Sequence, residues 1–136
     1  MYFESREYTP DDYEMVCGWW EQWGKKPLPD THMSKTGVIV SSCGVDLCCA
    51  WLYKTDSAFC IMDWFISNKD APKLLKTGSV SFLVKEIEAK AKDYGFSTIF
   101  TSVRNQHLKN ALVECGFDDE NKDLYMTNYI KGIYHG

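Results

Sequence analysis

The stretch from Thr77 to Val103 limits the possible folds more than any other part of the chain. It reads Thr77-Gly78-Ser79-Val80-Ser81-Phe82-Leu83-Val84-Lys85-Glu86-Ile87-Glu88-Ala89-Lys90-Ala91-Lys92-Asp93-Tyr94-Gly95-Phe96 and passes at once into the apolar run Ser97 to Val103. Val80, Leu83, Val84, Ile87 and Ala91 recur at helical spacing, while Lys85, Glu86, Lys90, Lys92 and Asp93 take the other face. Lysines in the last turn suit the negative end of the helix dipole, and Gly95 just beyond supplies a left-handed cap. At the start, Thr77 or Ser79 caps the helix, and the bare backbone of Gly78 lets an anion such as a phosphate approach unpaired amides. The segment is a loop, a helix and a buried strand.

The chain has 136 residues with 45% hydrophobic and 15% aromatic content, enough for one globular domain, residues 1–136, with a real core. Its net charge of -4 and pI near 5.3, with no basic stripe, argue against nucleic-acid binding. Six cysteines contain no C-x-x-C pair, and the adjacent Cys48 and Cys49 must point to opposite faces of a strand. They read as small buried hydrophobes in a reducing compartment, with no metal site expected. No apolar run is long enough to span a bilayer and the first residues lack a signal core, so the expectation is a soluble, cytoplasmic protein.

Along the chain, a short strand near Tyr2 to Tyr8 precedes Thr9-Pro10-Asp11-Asp12, a helix start with a cap, a first-turn proline and two acids. That helix is predicted from Pro10 to Trp23, with Gly24 ending it and Lys25 to Asp30 forming a proline-bearing loop. Three strands are predicted at Gly37 to Ser42, Val45 to Lys54 and Ala58 to Ile66, an antiparallel meander with turns at Cys43-Gly44 and Thr55-Asp56-Ser57. The strand Ser97 to Val103, reached through the long helix, then joins the third meander strand in parallel by a right-handed crossover. Asn105 caps another helix carrying Leu108, Ala111, Leu112 and Cys115 and closed by Gly116, and a last strand is predicted near Leu124 to Tyr134.

This order resembles the GNAT N-acetyltransferase superfamily, an α/β fold with a mixed, mostly antiparallel sheet flanked by helices. Gly78 falls at the first glycine of that family's phosphate-cradling R/Q-x-x-G-x-G/A loop, and Leu83, Ala91 and Gly95 match its helix. Val103-x-Asn105 and Cys115-Gly116-Phe117 look like its second signature. The loop departs from the pattern at Leu75 and Val80, the segment Ile66 to Gly78 is long, and the tyrosine that often protonates the departing thiolate falls at Leu112. Trp19-Trp20, Gly44-Val45, Trp51 to Ser57 and Ile66-Ser67-Asn68 also resemble small GNAT-like proteins of phage and prophage genomes.

The resemblance implies an acetyl-CoA-dependent transfer of an acetyl group to an amine of a small molecule or protein. It places the pantetheine arm between the strands Ala58 to Ile66 and Ser97 to Val103, in reach of Phe65 and Ile66. It places the pyrophosphate on Lys76, Thr77, Gly78 and Ser79, with Lys73 in place of the missing arginine. Against this stands the plain reading of Thr77-Gly78-Ser79 as a helix cap. Asp63, within an apolar run, must be paired, exposed at an edge or raised in pKa; it is the candidate base or a structural carboxylate. Asn105 caps its helix and by resemblance holds cofactor or water. Trp19, Trp20 and Trp23 cannot all face inward, so Trp20, Trp23 and His32 either line an acceptor site or serve the core and a solvated loop. A homodimer is compatible with the resemblance. The departures leave open a non-catalytic GNAT-like protein, such as a phage or prophage factor working through protein contacts.

Overall fold

A computed structural model describes residues 2–122 and 127–133. Seven strands form one sheet in the order β1-β2-β3-β4-β5-β7-β6. Strands β1 (Glu4–Glu7), β2 (Gly37–Ser42), β3 (Val45–Lys54) and β4 (Phe59–Ser67) run antiparallel in succession. The predicted bounds of β2 and β3 hold to the residue, and β4 is shifted by one. Cys43 and Gly44, at φ 53 and 76, make the two-residue β2–β3 turn, whose positive angles match the twist of the strands.

One face of the sheet is covered by α1 (Tyr13–Gln22), preceded by a 3-10 turn at Pro10–Asp12 rather than a continuous α-helix from Pro10. Asp12 ties that start together, its Oδ2 accepting from the Thr9 amide at 2.9 Å. Val16, Trp19 and Trp20 of α1 pack on Ile39, Cys49, Trp51 and Ile66. Trp20 stacks on Trp51, with ring centroids 5.9 Å apart and planes at 20°.

The opposite face carries α3 (Ser79–Asp93) and α4 (Gln106–Glu114), which bury Leu83, Val84, Ile87, Ala91 and Leu112 against Val38, Val40, Cys48, Leu52, Met62 and Ile99. Cys48 and Cys49 lie in the two different cores, as alternation along a strand requires. A short helix α2 (Lys73–Lys76) occupies the long connection before α3. The crossover returns to β5 (Thr98–Val103), which pairs parallel with β4.

The end of the chain differs from expectation. Two strands, β6 (Asp118–Lys122) and β7 (Thr127–Gly132), form instead of one, with β7 inserted between β5 and β6. Leu124 and Tyr134, the expected limits, lie outside the described residues. β6 reads Asp-Asp-Glu-Asn-Lys, with no apolar alternation to reveal it; as an edge strand it is held by main-chain pairing with β7. No helix among the described residues is long and apolar enough to cross a membrane.

Candidate functional site

The parallel pairing of β4 with β5 is short. Phe59, Cys60 and Ile61 oppose Thr98, Ile99 and Phe100, and there it stops. Beyond Ile61, β4 continues to Ser67 while held by β3, and beyond Phe100, β5 continues to Val103 while held by β7. The two strands therefore splay into a wedge, with no β4–β5 ladder pairing among the described residues beyond Ile61 and Phe100. Because α3 leads from β4 back to the start of β5, its N-terminus lies at the end of the sheet where the wedge opens.

Gly78 is the N-cap of α3 and adopts φ 83, a left-handed conformation that a side chain would strain. The first intrahelical bond is Phe82 N–H to Gly78 C=O at 3.2 Å, so the amides of Ser79, Val80 and Ser81 precede the helical ladder. The surrounding side chains are largely engaged. Ser79 Oγ, buried, donates to the Lys76 carbonyl at 2.7 Å, and Thr77 Oγ1 donates to that of Lys73 at 3.2 Å. Lys76 Nζ caps the preceding loop through the carbonyls of Asn68 and Lys69, at 3.2 and 3.4 Å. Ser81 Oγ donates to Glu114 Oε2 at 3.2 Å, and Leu75 packs against the core. What stays open at this helix start is the main-chain amides and Lys73, exposed at the beginning of α2.

On the α1 face of the wedge, β4 carries a bulge. Ile66 pairs with Cys49 and Asp63 with Trp51, so Trp64 and Phe65 together oppose Ala50. Trp64 absorbs the extra residue at φ 63 and remains 42% exposed. A bulky residue in that region costs about 1–3 kcal/mol. Asp63 is half-buried; burial raises its carboxyl pKa, partly opposed by the Trp64 amide, which donates to Asp63 Oδ1 at 2.7 Å. Tyr53 of β3 meets the Trp64 side chain and donates its hydroxyl proton to the His32 carbonyl at 2.9 Å.

The remaining predicted residues are dispersed. Phe65 packs against the α3–α4 core and Ile66 against the α1 core, at the wedge end of β4. Trp20 is a core residue under α1, whereas Trp23 is 43% exposed, donates Nε1–H to the Ser67 carbonyl at 2.9 Å and lies under the Lys69 ammonium. His32 sits on an exposed 3-10 turn beside Tyr53. Asn105 is the N-cap of α4, its side chain accepting from the Leu108 amide at 3.0 Å. Leu112 is fully buried and brings no proton donor.

Sequence reasoning missed Trp64, Tyr53 and Thr101. Thr101 is one residue past the last β4–β5 pair, and its Oγ1 is buried with no hydrogen-bond partner among the described residues. A register shift and an orphaned hydroxyl have no signature in sequence. Two surface grooves, of about 240 Å³ around Arg6, Glu86 and Lys90 and about 250 Å³ around Tyr8, Tyr13 and Asp30, lie away from the wedge.

Solved structures match this arrangement of sheet and helices over nearly the whole chain. The fold is that of the GNAT N-acetyltransferases. N-acetylglutamate synthase from Neisseria gonorrhoeae, in complex with coenzyme A and L-arginine, superposes on 98% of the chain with a TM-score of 0.75 and 16% identity; the chain spans 34% of that protein. The GNAT domain of PAT from S. lividans matches over 95% of this chain and 89% of its own, with a TM-score of 0.73 and 15% identity. The ribosomal-protein-S18-alanine N-acetyltransferase from Escherichia coli matches over 95% and 91%, with a TM-score of 0.73 and 11% identity. The sequence matches no protein-family model and no curated protein. Likeness at this identity establishes the GNAT fold.

Proposed function

We propose that the protein is an acetyl-CoA-dependent N-acetyltransferase acting on an amine of a small molecule or protein. The observation that carries this reading is the β4–β5 wedge opening at the uncapped amides of α3. An extended arm with amide groups fits between two strands that have stopped pairing with each other, and a diphosphate fits a helix start with a bare glycine. The orphaned Thr101 hydroxyl supports a polar guest near the same gap. Structures of proteins with this fold in complex with coenzyme A point the same way.

When bound, acetyl-CoA supplies an activated thioester carbonyl. Open-edge amides of β4 polarise the carbonyl oxygen, and the amides of Ser79 to Ser81 with Lys73 hold the diphosphate. Asp63, ionised, takes the proton lost by the attacking amine; the pKa raised by burial makes it a stronger base than an exposed aspartate. Leu112 donates nothing, so the proton for the leaving sulfur comes from water.

Calorimetric titration with acetyl-CoA tests the reading. Saturable one-site binding is expected, and Gly78→Glu, which adds a side chain at φ 83 and a negative charge to the cradle, should abolish it. No binding by the native protein at millimolar ligand would overturn the reading and favour a GNAT-like protein that works through protein contacts.

A further inference from the structure

Two observations at the β4 bulge remain unexplained by packing. Asp63 is half-buried yet makes no ion pair among the described residues; burial raises its pKa and the Trp64 amide partly opposes that. Its neighbour Trp64 holds a left-handed backbone that glycine would hold without strain, and keeps its ring 42% exposed instead of buried. A regular strand would send Asp63 and Trp64 to opposite faces. Here the bulge brings the Trp64 side chain to Tyr53, while Tyr53 pairs with Ile61, two residues before Asp63 and on the same face of the strand.

We propose that Trp64 is a specificity residue, and that Asp63, Trp64 and Tyr53 receive the acceptor as an organic cation, a primary ammonium on a short carbon chain. The carboxylate supplies the missing half of an ion pair, and the exposed indole supplies a face for the cation and its adjoining methylenes. The indole also meets Tyr53, which holds the His32 carbonyl at 2.9 Å, so the same ring fixes the loop after α1 beside the cation site. The strain at φ 63 is retained because a glycine there would leave no such face. The identification of this cation as an acyl acceptor rests on the transferase reading, whereas its binding does not.

The test uses the full chain carrying ¹⁵N at its five tryptophan indoles, titrated with n-butylamine at neutral pH and, as an uncharged control, n-butanol. The Trp64 indole resonance, assigned by its loss in Trp64→Phe, should shift saturably with the amine and not with the alcohol. Trp64→Gly should keep or raise Tm, because the bulge relaxes, while weakening amine binding about tenfold; Asp63→Asn should weaken it comparably. Equal shifts with amine and alcohol, or undiminished amine binding by Trp64→Gly, would overturn the proposal. Acetyl-CoA binding without any response to the amine would overturn this inference alone. An amine response without acetyl-CoA binding would support it while removing the transferase reading.

Discussion

Asp63 shows how a residue's setting decides its chemistry. The same carboxyl on the surface would be a weak base; half-buried and unpaired, it favours its neutral form more than an exposed aspartate does. Its folded-state pKa lies above the unfolded value, so the protein binds that proton more tightly when folded. The stabilisation is present at low pH and is lost as pH rises through the raised pKa. Asp63→Asn should therefore raise Tm at pH 7 and give no gain at pH 3, as thermal melts at the two values would show. In the same variant, acetyl transfer near neutrality should fall about 100-fold, the usual share of a general base. An unchanged rate and pH profile would remove Asp63 from the chemistry. The sequence gives reason to single out this aspartate, since a charge inside Phe59–Ile66 needs an explanation. It gives none for Trp64, because an aromatic in an apolar strand is ordinary until the register shift opposite Ala50 places it at φ 63.

At the scale of elements, legibility follows local physics. β2 and β3 were readable to the residue because the turn at Cys43-Gly44 is written in adjacent residues, whereas β6 exists only through its pairing with β7. That turn offers a direct test. Both residues have positive φ, and cysteine is less suited than asparagine to the first position. Cys43→Asn should stabilise the protein by about 0.5 kcal/mol, measurable by denaturant melts; a loss would show that the Cys43 side chain packs usefully. The opposite result is expected at Gly37, where a Cβ would sit 2.7 Å from Trp51 Cδ1 and 3.0 Å from Tyr8 Cβ. Trp51 is fully buried between Tyr8 and the stacked Trp20, so it has no room to withdraw. Gly37→Ala should cost about 1–3 kcal/mol by overpacking. A glycine at a strand's first residue looks like a turn signal, and its role as the space for an indole of the neighbouring strand is visible only once β2 and β3 are paired.

Across the whole molecule, the long connection between β4 and α3 links the two sides of the sheet. From the α1 side, Gln22 accepts the Lys69 amide at 3.0 Å and donates to Asp70 Oδ2 at 2.9 Å, while Trp23 holds the Ser67 carbonyl. On the cradle side, Lys76 Nζ takes the carbonyls of Asn68 and Lys69. The four-residue span Ser67 to Asp70 is thus gripped from the end of α1 and from Lys76, just before Gly78. In sequence this segment looks like a departure from the GNAT pattern, longer than usual and without its arginine. In three dimensions the added residues form a brace that positions the start of α3 by contacts distant in the chain, which no local pattern encodes. Gln22→Ala removes two of the grips without touching the wedge or the cradle. The loop is exposed, so global stability should change by less than about 1 kcal/mol. Amide exchange from Lys69 to Lys76 should nevertheless quicken, because the brace is a locally closed element on a stable core. Acetyl-CoA affinity should fall several-fold, the cost of ordering the cradle on binding instead of in advance. Faster exchange with unchanged affinity would show that α3 alone fixes the amides of Ser79 to Ser81, and that the brace serves the α1 side, where Trp23 lies under Lys69.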